Sequence, residues 1–348
     1  MMNRTHAADT STTLGSLVLD NPILTASGCF ASGREIDRLW DISDLGAVVP
    51  KSVTLEPRAG LPTPRMAETP SGMLNAIGLQ NPGVATWIER DLPYLRRRGA
   101  KIIASIAGNT VDDYREVARQ LGAARGIDAY EINLSCPNVE HRGLVFAVDP
   151  DRSAKVVRAV RGVLPDATLF AKLTPDVTDI TAIAIPVMEA GATGISAINT
   201  TLGMAIDPVT GRPMVANGYA GMSGPALRPI AVRIVHQLHT VLGPDVPIIG
   251  MGGVRTVEDV VEFTRAGASA VAVGTATFAD PFAAHDLTVQ LGQWLDRHGF
   301  ASLQQLRGQV HPWPHHVPPI LAPPEPDGPD DGARSRPGGS VAVDDADA

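Results

Sequence analysis

The sequence is poor in cysteine and has neither a long apolar run nor a basic stretch, and each absence excludes a class of protein. Its two cysteines, Cys29 and Cys136, cannot build a disulfide framework or a four-thiolate iron–sulfur cluster within this chain. No apolar run reaches the roughly 18 residues that a membrane-spanning helix needs, and residues 1–13 lack the apolar centre of a signal peptide. We therefore expect a cytoplasmic protein without a membrane role.

The net charge is also small over most of the chain. The formal net charge is −8 over 348 residues, but residues 322–348 contain seven acidic residues and two arginines, so −5 of the total lies there. The remaining body is close to neutral and has no basic stripe with interleaved aromatic residues. These features argue against nucleic acid as the main ligand.

What the sequence does contain is an alternation of short β-branched runs with helical patterns, which is typical of parallel βα units. Eight runs predict strands: 22–27, 47–53, 101–107, 129–135, 168–174, 194–200, 246–251 and 270–275. Eight parallel strands close a TIM barrel. We predict an α/β protein with a TIM (β/α)8 barrel over residues 14–311, between a disordered N-terminus (1–13) and a disordered Pro-rich acidic tail (312–348).

The segments between the strands are informative as well. In residues 110–124 apolar side chains repeat with helical spacing, and Thr110 and Asp113 predict an N-terminal capping pair. A second helix of this kind follows residue 227. Residues 54–100 and 202–226 are too long for simple βα turns. Because the βα loops form the catalytic face of a barrel, we expect these inserted loops to lie over its C-terminal face.

The stretch EINLSCPN, residues 131–138, ends the fourth predicted strand, where barrel enzymes carry their reactive groups. Side chains alternate along a strand, so Asn133 and Ser135 share a face, while Pro137 ends the strand and places Cys136 in a loop. A thiol presented in this way can abstract a proton or act as a nucleophile, although a single cysteine is more often an inert buried residue. Cys29 is interpreted as such a packing residue.

Motifs in matching order and spacing extend the pattern across residues 14–307. They are ASGCF (26–30), ETPSGMLNAIGLQNPG (68–83), NLSCPN (133–138), AKLTPD (171–176), INTTLGM (198–204), SGPALRP (223–229), IIGMGGV (248–254) and AVGTATFADP (272–281). Together they resemble class 1 dihydroorotate dehydrogenases. Class 2 members have serine at the position of Cys136 and an N-terminal membrane-binding extension. Residues 198–229 resemble the class 1B catalytic subunit more than the fumarate-using class 1A homodimer.

Glycine-rich turns follow the last two predicted strands, where barrels commonly bind a phosphate through backbone N–H groups. The simpler reading is that these glycines only form tight turns. Together with Ser223-Gly224 they favour a phosphorylated cofactor. The resemblance implies that this cofactor is FMN, one per chain, with its phosphate and ribityl end at Gly224, Gly252, Gly253, Gly274 and Thr275.

Lys51 and Lys172 lie within otherwise apolar runs, where an unpaired ammonium group is costly, so each should have an anionic partner. A fixed cation would stabilise the negative charge of a reduced flavin. The resemblance assigns this role to Lys172 and places Lys51 between flavin and substrate. It places Ser27, Ser52, Ser105, Asn133 and Ile198 beside the flavin. Ser105 departs from the asparagine that is usual in the family.

Four asparagines near strand ends or turns form a further set, and their amides match a planar pyrimidine carboxylate without adding charge. Asparagine is also a common turn residue. The resemblance implies that Asn75, Asn133, Asn138 and Asn199 contact orotate. The remaining residues implied around the substrate are Lys51, Ala76, Ile77, Gly78, Leu79 and Thr200.

The resemblance implies oxidation of (S)-dihydroorotate to orotate in pyrimidine biosynthesis, with Cys136 and Lys51 as catalytic residues. Cys136 would remove the C5 proton while the C6 hydride passes to FMN. Electrons would reach NAD through an accessory subunit carrying FAD and a [2Fe-2S] cluster. Two catalytic and two accessory chains would form a heterotetramer around a homodimer core. No metal site is expected in this chain.

Other readings stay open at this point. A fumarate-dependent class 1A enzyme, a dihydropyrimidine dehydrogenase domain or a tRNA-acting dihydrouridine synthase would share the flavin barrel. The near-neutral body opposes the tRNA enzyme. A barrel that only binds a ligand would lack flavin absorbance.

Overall fold

The computed structural model describes residues 7–135 and 146–313. The strands are β1 Thr12–Leu14, β2 Leu17–Leu19, β3 Ile23–Thr25, β4 Met66–Thr69, β5 Gly72–Asn75, β6 Ile103–Ile106, β7 Ala129–Asn133, β8 Leu169–Leu173, β9 Gly194–Ala197, β10 Thr201–Gly203, β11 Ala220–Ser223, β12 Ile248–Met251 and β13 Ala270–Val273. Seven of them form one parallel sheet in the order β3-β13-β12-β9-β8-β7-β6. This order follows the chain around a ring, as successive βα units do.

Residues 47–53 fill the gap between β3 and β6 and close the ring. Ala47 forms a parallel bridge with Leu24, and Val48 and Val53 form parallel bridges with β6 and its flank. Pro50 lies in this segment and has no N–H to donate, which explains bridges in place of a regular ladder. The predicted (β/α)8 barrel is confirmed, although its second strand is less regular than we expected.

The helices surround the barrel. They are α1 Val84–Thr86, continued by a π-helical turn at Trp87–Asp91, α2 Leu92–Arg97, α3 Val111–Ala123, α4 Pro150–Val163, α5 Thr181–Glu189, α6 Arg228–Leu242, α7 Val257–Ala266, α8 Ala276–Ala279 and α9 Ala283–Arg297, with 3-10 turns at Ile36–Arg38, Ile42–Asp44, Pro225–Leu227 and Leu303–Gln305. Thr110 and Asp113 form the predicted capping box of α3. Apolar faces of the longer helices pack on the outward side chains of the strands and form the main core.

The hairpin β1–β2 closes one end of the barrel. Its leucines Leu14, Leu17 and Leu19 pack against inward side chains such as Phe170 and Ile249. The preceding residues are packed too: Ala8 donates its backbone N–H to Asp296 at 2.9 Å and the Thr12 hydroxyl donates to the backbone of Ser269 at 2.8 Å. The prediction of a disordered segment up to residue 13 is therefore wrong from residue 7 onward, because these contacts tether it.

The two insertions fold into one structure. Strands β4 and β5 come from residues 54–100, β10 and β11 lie in or beside residues 202–226, and together they form an antiparallel sheet in the order β10-β11-β5-β4. Asn75 is opposite Gly221 in this sheet. Since β10 begins four residues after β9 ends, the sheet lies at the carboxyl end of the barrel strands. The contacts between residues divide the chain into two compact units, Met1–Val310 and His311–Ala348. Only residues 311–313 of the second unit are described.

Candidate active site

Polar side chains replace apolar ones in the upper part of the barrel interior. Inward positions alternate with outward ones, so β6 presents Ser105 above Ile103, β7 presents Glu131 above Ala129, and β8 presents Lys172 above Phe170. The lower residue of each pair belongs to the apolar interior cluster. The carboxyl half of the barrel is therefore a polar chamber, which is where barrel enzymes place their chemistry.

Hydrogen bonds join five of the predicted site residues. The Ser52 hydroxyl lies 3.2 Å from that of Ser27 and 2.8 Å from that of Ser105. The Asn133 amide donates to Ser52 Oγ at 3.2 Å, and the Asn199 amide donates to Asn133 Oδ1 at 3.4 Å. These residues come from five separate segments of the sequence. The barrel brings them into one network.

Glu131 lies at the inner end of this network. Its side chain is 1% exposed and accepts a hydrogen bond from Ser105 at 3.2 Å. Lys172 Nζ is 3.7 Å from the same carboxylate oxygen, Oε1, and Lys172 is 4% exposed. The prediction of an anionic partner for Lys172 is confirmed, and that partner is a residue which the sequence analysis did not select.

An ionised carboxylate accepts hydrogen bonds and donates none. The Ser105 hydroxyl therefore donates its hydrogen bond to Glu131 and must accept one from the Ser52 hydroxyl. Ser52 in turn accepts from Asn133. The direction of every bond from Asn133 to Glu131 thus follows from the carboxylate, and the Asn133 amide presents its N–H side to the serines.

Lys51 and Lys172 both lie near Cys29. A Cβ added to Gly28 would be 3.3 Å from Lys51 Nζ, which places this ammonium group close to the turn after β3. Burial raises the pKa of the Cys29 thiol, while Lys172 and Lys51 act in the opposite direction. A thiol held in its neutral form is a poor nucleophile. The structure therefore favours no second nucleophile at Cys29, which is half-buried rather than buried.

The predicted glycine turns meet at one side of the same mouth. Gly253 has φ +78°, and a Cβ there would be 2.7 Å from the carbonyl oxygen of Gly224, so the turns after β12 and β11 lie in direct contact. The hydroxyls of Thr275 and Ser223 are 2.7 Å apart and join the end of β13 to the end of β11. A Cβ on Gly274 would lie 3.5 Å from Cys29 Sγ. Gly252 completes the cradle beside Gly253.

Residues 75–79 continue from the end of β5 in the antiparallel sheet. The Asn75 amide donates to the carbonyl of Gly221 at 3.3 Å, across the β5–β11 pairing. Ala76 and Leu79 are buried, whereas Ile77 and Gly78 are half-buried. Leu79 has φ +54°, a left-handed conformation that is uncommon for a residue with a branched side chain. Such a conformation persists only where the surroundings determine it.

Asn81 holds Leu79 in this left-handed conformation through its hydrogen bonds. Its buried amide donates to the Leu79 carbonyl at 2.7 Å and to Thr54 Oγ1 at 2.8 Å, and its Oδ1 accepts the backbone N–H groups of Gly83 and Thr54. The loop is thereby attached to the segment after barrel residue 53. The sequence analysis missed Asn81, although its place inside the motif that ends in GLQNPG was the available signal.

Ile198 and its neighbours continue from β9 into the mouth. Ile198 follows a cis peptide bond with Ala197, is buried, and donates its N–H to Met251 at 3.0 Å. Asn199 donates its backbone N–H to Leu173 at 2.9 Å and accepts the N–H of Thr200 on its side chain at 2.8 Å. These contacts attach the predicted residues to β12 and β8.

Cys136 and Asn138 lie outside the described residues. The strand that leads to them is well anchored, because the Tyr114 hydroxyl of α3 donates to the carbonyl of Asn133 at 2.6 Å. Buried hydroxyls without a partner among the described residues include Ser135 Oγ, one position before Cys136, and Ser196 Oγ. Ser196 is opposite Lys172 in the β8–β9 register. Ser196 was not selected by the sequence analysis.

The family model described as "Dihydroorotate dehydrogenase" matches residues 10–295. The chain belongs to this family. Among its relatives, a "Dihydroorotate dehydrogenase B (NAD(+)), catalytic subunit" of Listeria innocua is 49% identical over 294 residues, which are 84% of this chain and 96% of the relative. The protein with the same description in Geobacillus kaustophilus is 50% identical over 296 residues, 85% and 94% of the two chains.

A solved structure supports the fold independently. The crystal structure of a dihydroorotate dehydrogenase from Eimeria tenella in complex with ferulenol has a TM-score of 0.75, with 24% sequence identity over 89% of this chain and 90% of the other. At this identity the likeness concerns the barrel architecture alone. Within the described ranges of the dehydrogenase chain, no helix has the length and apolarity to cross a membrane, and no group of three or more His, Cys, Asp or Glu side chains could hold a metal ion.

Proposed function

We propose that the chain is the catalytic subunit of an NAD-dependent dihydroorotate dehydrogenase, which oxidises (S)-dihydroorotate to orotate in pyrimidine biosynthesis. The observation that carries the proposal is the convergence of a lysine, three amides and a cradle of glycine turns at the carboxyl end of one barrel. A cytoplasmic location is part of the same proposal. The roughly 50% identity to catalytic subunits of the B type favours NAD over fumarate as the final acceptor.

The residues present fit FMN. Gly224, Gly252 and Gly253 have no room for a Cβ, because each would meet protein atoms of a neighbouring segment within 3 Å. Their turns therefore pack closely, and their backbone N–H groups could face one phosphate, with Gly274 and Thr275 adjoining them. The Ser196 hydroxyl has no hydrogen-bond partner within residues 7–135 and 146–313 and is buried opposite Lys172 in the register, so it offers a further polar contact. When bound, FMN supplies the hydride acceptor of the reaction. Ser27, Ser52, Ser105 and Ile198 would line its ring.

The chain's own groups would hold the substrate and move its proton. Asn75, Asn133 and Asn199 present amides to a pyrimidine that carries carbonyl, imide and carboxylate groups, with Lys51 supplying positive charge for the carboxylate. Residues 76–79 and Thr200 would enclose it. Cys136 and Asn138 are proposed as general base and fourth amide from the resemblance. Exclusion of water by the sheet of the two insertions would strengthen each of these contacts.

The proposal includes a partner. B-type catalytic subunits are named as one part of a larger enzyme. We propose an electron-transfer subunit with FAD and a [2Fe-2S] cluster, in a heterotetramer of two catalytic and two accessory chains around a homodimer core. The two cysteines of this chain cannot ligate a cluster themselves. Co-expression with such a subunit should yield a brown complex that reduces NAD. A yellow homodimer that is fully active with fumarate alone would contradict it.

The decisive experiment is anaerobic addition of dihydroorotate to the purified chain. We expect the flavin absorbance to bleach, and Cys136→Ser to retain flavin while slowing this bleaching severely at neutral pH. Uracil and dihydrouracil serve as controls, because a dihydropyrimidine dehydrogenase would respond to them. A colourless protein would refute flavin binding, and an unchanged rate in Cys136→Ser would refute the assignment of the base.

A further inference from the structure

In the part of the chain that the structure describes, Glu131 is a buried acid inside the barrel that the proposed reaction does not use. It stands on the inward face of β7, between the apolar floor of the barrel and Asn133. A buried carboxylate is costly unless it is paired and hydrogen-bonded. Glu131 meets both conditions through Lys172 and Ser105.

The two partners give Glu131 two separate connections to the mouth. Lys172 Nζ is 3.7 Å from Oε1, so the carboxylate draws this ammonium group toward β7 and offsets its charge. Ser105 joins the same carboxylate to the hydrogen bonds that run through Ser52 to Asn133. Neither connection depends on the identity of a ligand.

We propose that Glu131 is a positioning residue which holds Lys172 in place and reduces the positive charge that Lys172 presents to a bound flavin. This inference rests on the proposed function, because it requires FMN beside Lys172. Glu131 would thereby set the midpoint potential of the flavin lower than the lysine alone would set it. The substrate and the electron-transfer subunit would then meet a flavin whose potential depends on a residue that touches neither of them.

The direction of the effect follows from electrostatics. A lone cation beside the ring stabilises the negative charge of the reduced flavin more than that of the oxidised form, which raises the midpoint potential. A carboxylate within 3.7 Å of the cation cancels much of this field in an interior of low dielectric constant. Removing the carboxylate charge while keeping the side chain's shape should therefore shift the potential upward.

The test is a redox titration of Glu131→Gln, followed by flavin absorbance against a reference dye. We expect at least a tenfold change in the two-electron equilibrium constant toward reduced flavin, which corresponds to about 30 mV. Glu116→Gln is the matched control: it removes a carboxylate that also pairs with a cation, Arg119, but on the surface of α3. Its potential should equal that of the wild type.

Glu131→Asp provides a second variant, which keeps the buried charge but withdraws it by one methylene group. It should shift the potential in the same direction by a smaller amount, and it carries the test if Glu131→Gln does not fold. Potentials equal to the wild-type value in the variants that fold would overturn the inference. If the wild-type protein still binds flavin and oxidises dihydroorotate, that result would overturn only the role of Glu131 and leave the proposed function standing. A wild-type protein without flavin would contradict both the role of Glu131 and the proposed function.

Discussion

Replacing Glu131 by Gln should also destabilise the fold, and the structure allows the size of the loss to be worked out. Two unit charges 3.7 Å apart interact with about 4.5 kcal/mol at the effective dielectric constant of roughly 20 that suits protein sites. Removal of one partner from a buried ion pair typically costs about 3–5 kcal/mol, because the other charge stays buried without compensation. Such a loss is a large part of the 5–15 kcal/mol that stabilises a typical domain.

The double variant Glu131→Gln/Lys172→Met separates this explanation from a simple packing defect. With both charges removed no buried charge is left unpaired, so the double variant should be more stable than Glu131→Gln alone. The free energy of unfolding is measured by urea titration, without added FMN, from tryptophan fluorescence. Glu116→Gln breaks a pair on the surface and should cost much less stability than Glu131→Gln. The single variant Lys172→Met completes the comparison. If the double variant lost as much unfolding free energy as Glu131→Gln and Lys172→Met lose together, the argument from charge pairing would be wrong.

Three further predictions concern other parts of the chain. Gly253→Ala should weaken FMN binding at least tenfold in a fluorescence titration, because its Cβ would meet the Gly224 carbonyl at 2.7 Å. The control is Gly299→Ala, which has φ +73° and no atom within 4 Å of the added Cβ. It carries a similar backbone strain and should bind FMN normally. Thr110→Ala should cost about 1 kcal/mol of unfolding free energy by removing the capping box of α3, and an unchanged urea midpoint would contradict this. Burial lowers the pKa of His239 from its ordinary 6.5, so the unfolded chain binds the proton more readily than the folded one. The free energy of unfolding should therefore fall as the pH drops below about 6.5. An equally steep fall in His239→Gln would show that another group is responsible.

Much of the architecture could be predicted from local sequence. The eight barrel strands and the capping box of α3 follow from β-branched runs and from Thr and Asp at fixed spacing, which act within a few residues of the chain. The second barrel strand was predicted as regular, and Pro50 at its centre explains why only bridges form there. The packed stretch from residue 7 to 13 was missed, because its partners Asp296 and Ser269 are more than 250 positions away along the chain.

The features of the site likewise fall into those that the sequence predicts and those that only the folded chain shows. The sequence by itself determined which residue types could serve the chemistry: the Cys136 motif, the two lysines within apolar runs, the amides and the glycine turns all stand out by type and position. Only the tertiary structure decided their connections, including the pairing of Lys172 with Glu131, the anchoring of residues 75–79 by Asn81 and the joining of the two insertions in one sheet. The physical reason is that a buried charge or amide selects its partner by distance in space, and closure of the barrel brings together strands that the sequence keeps far apart.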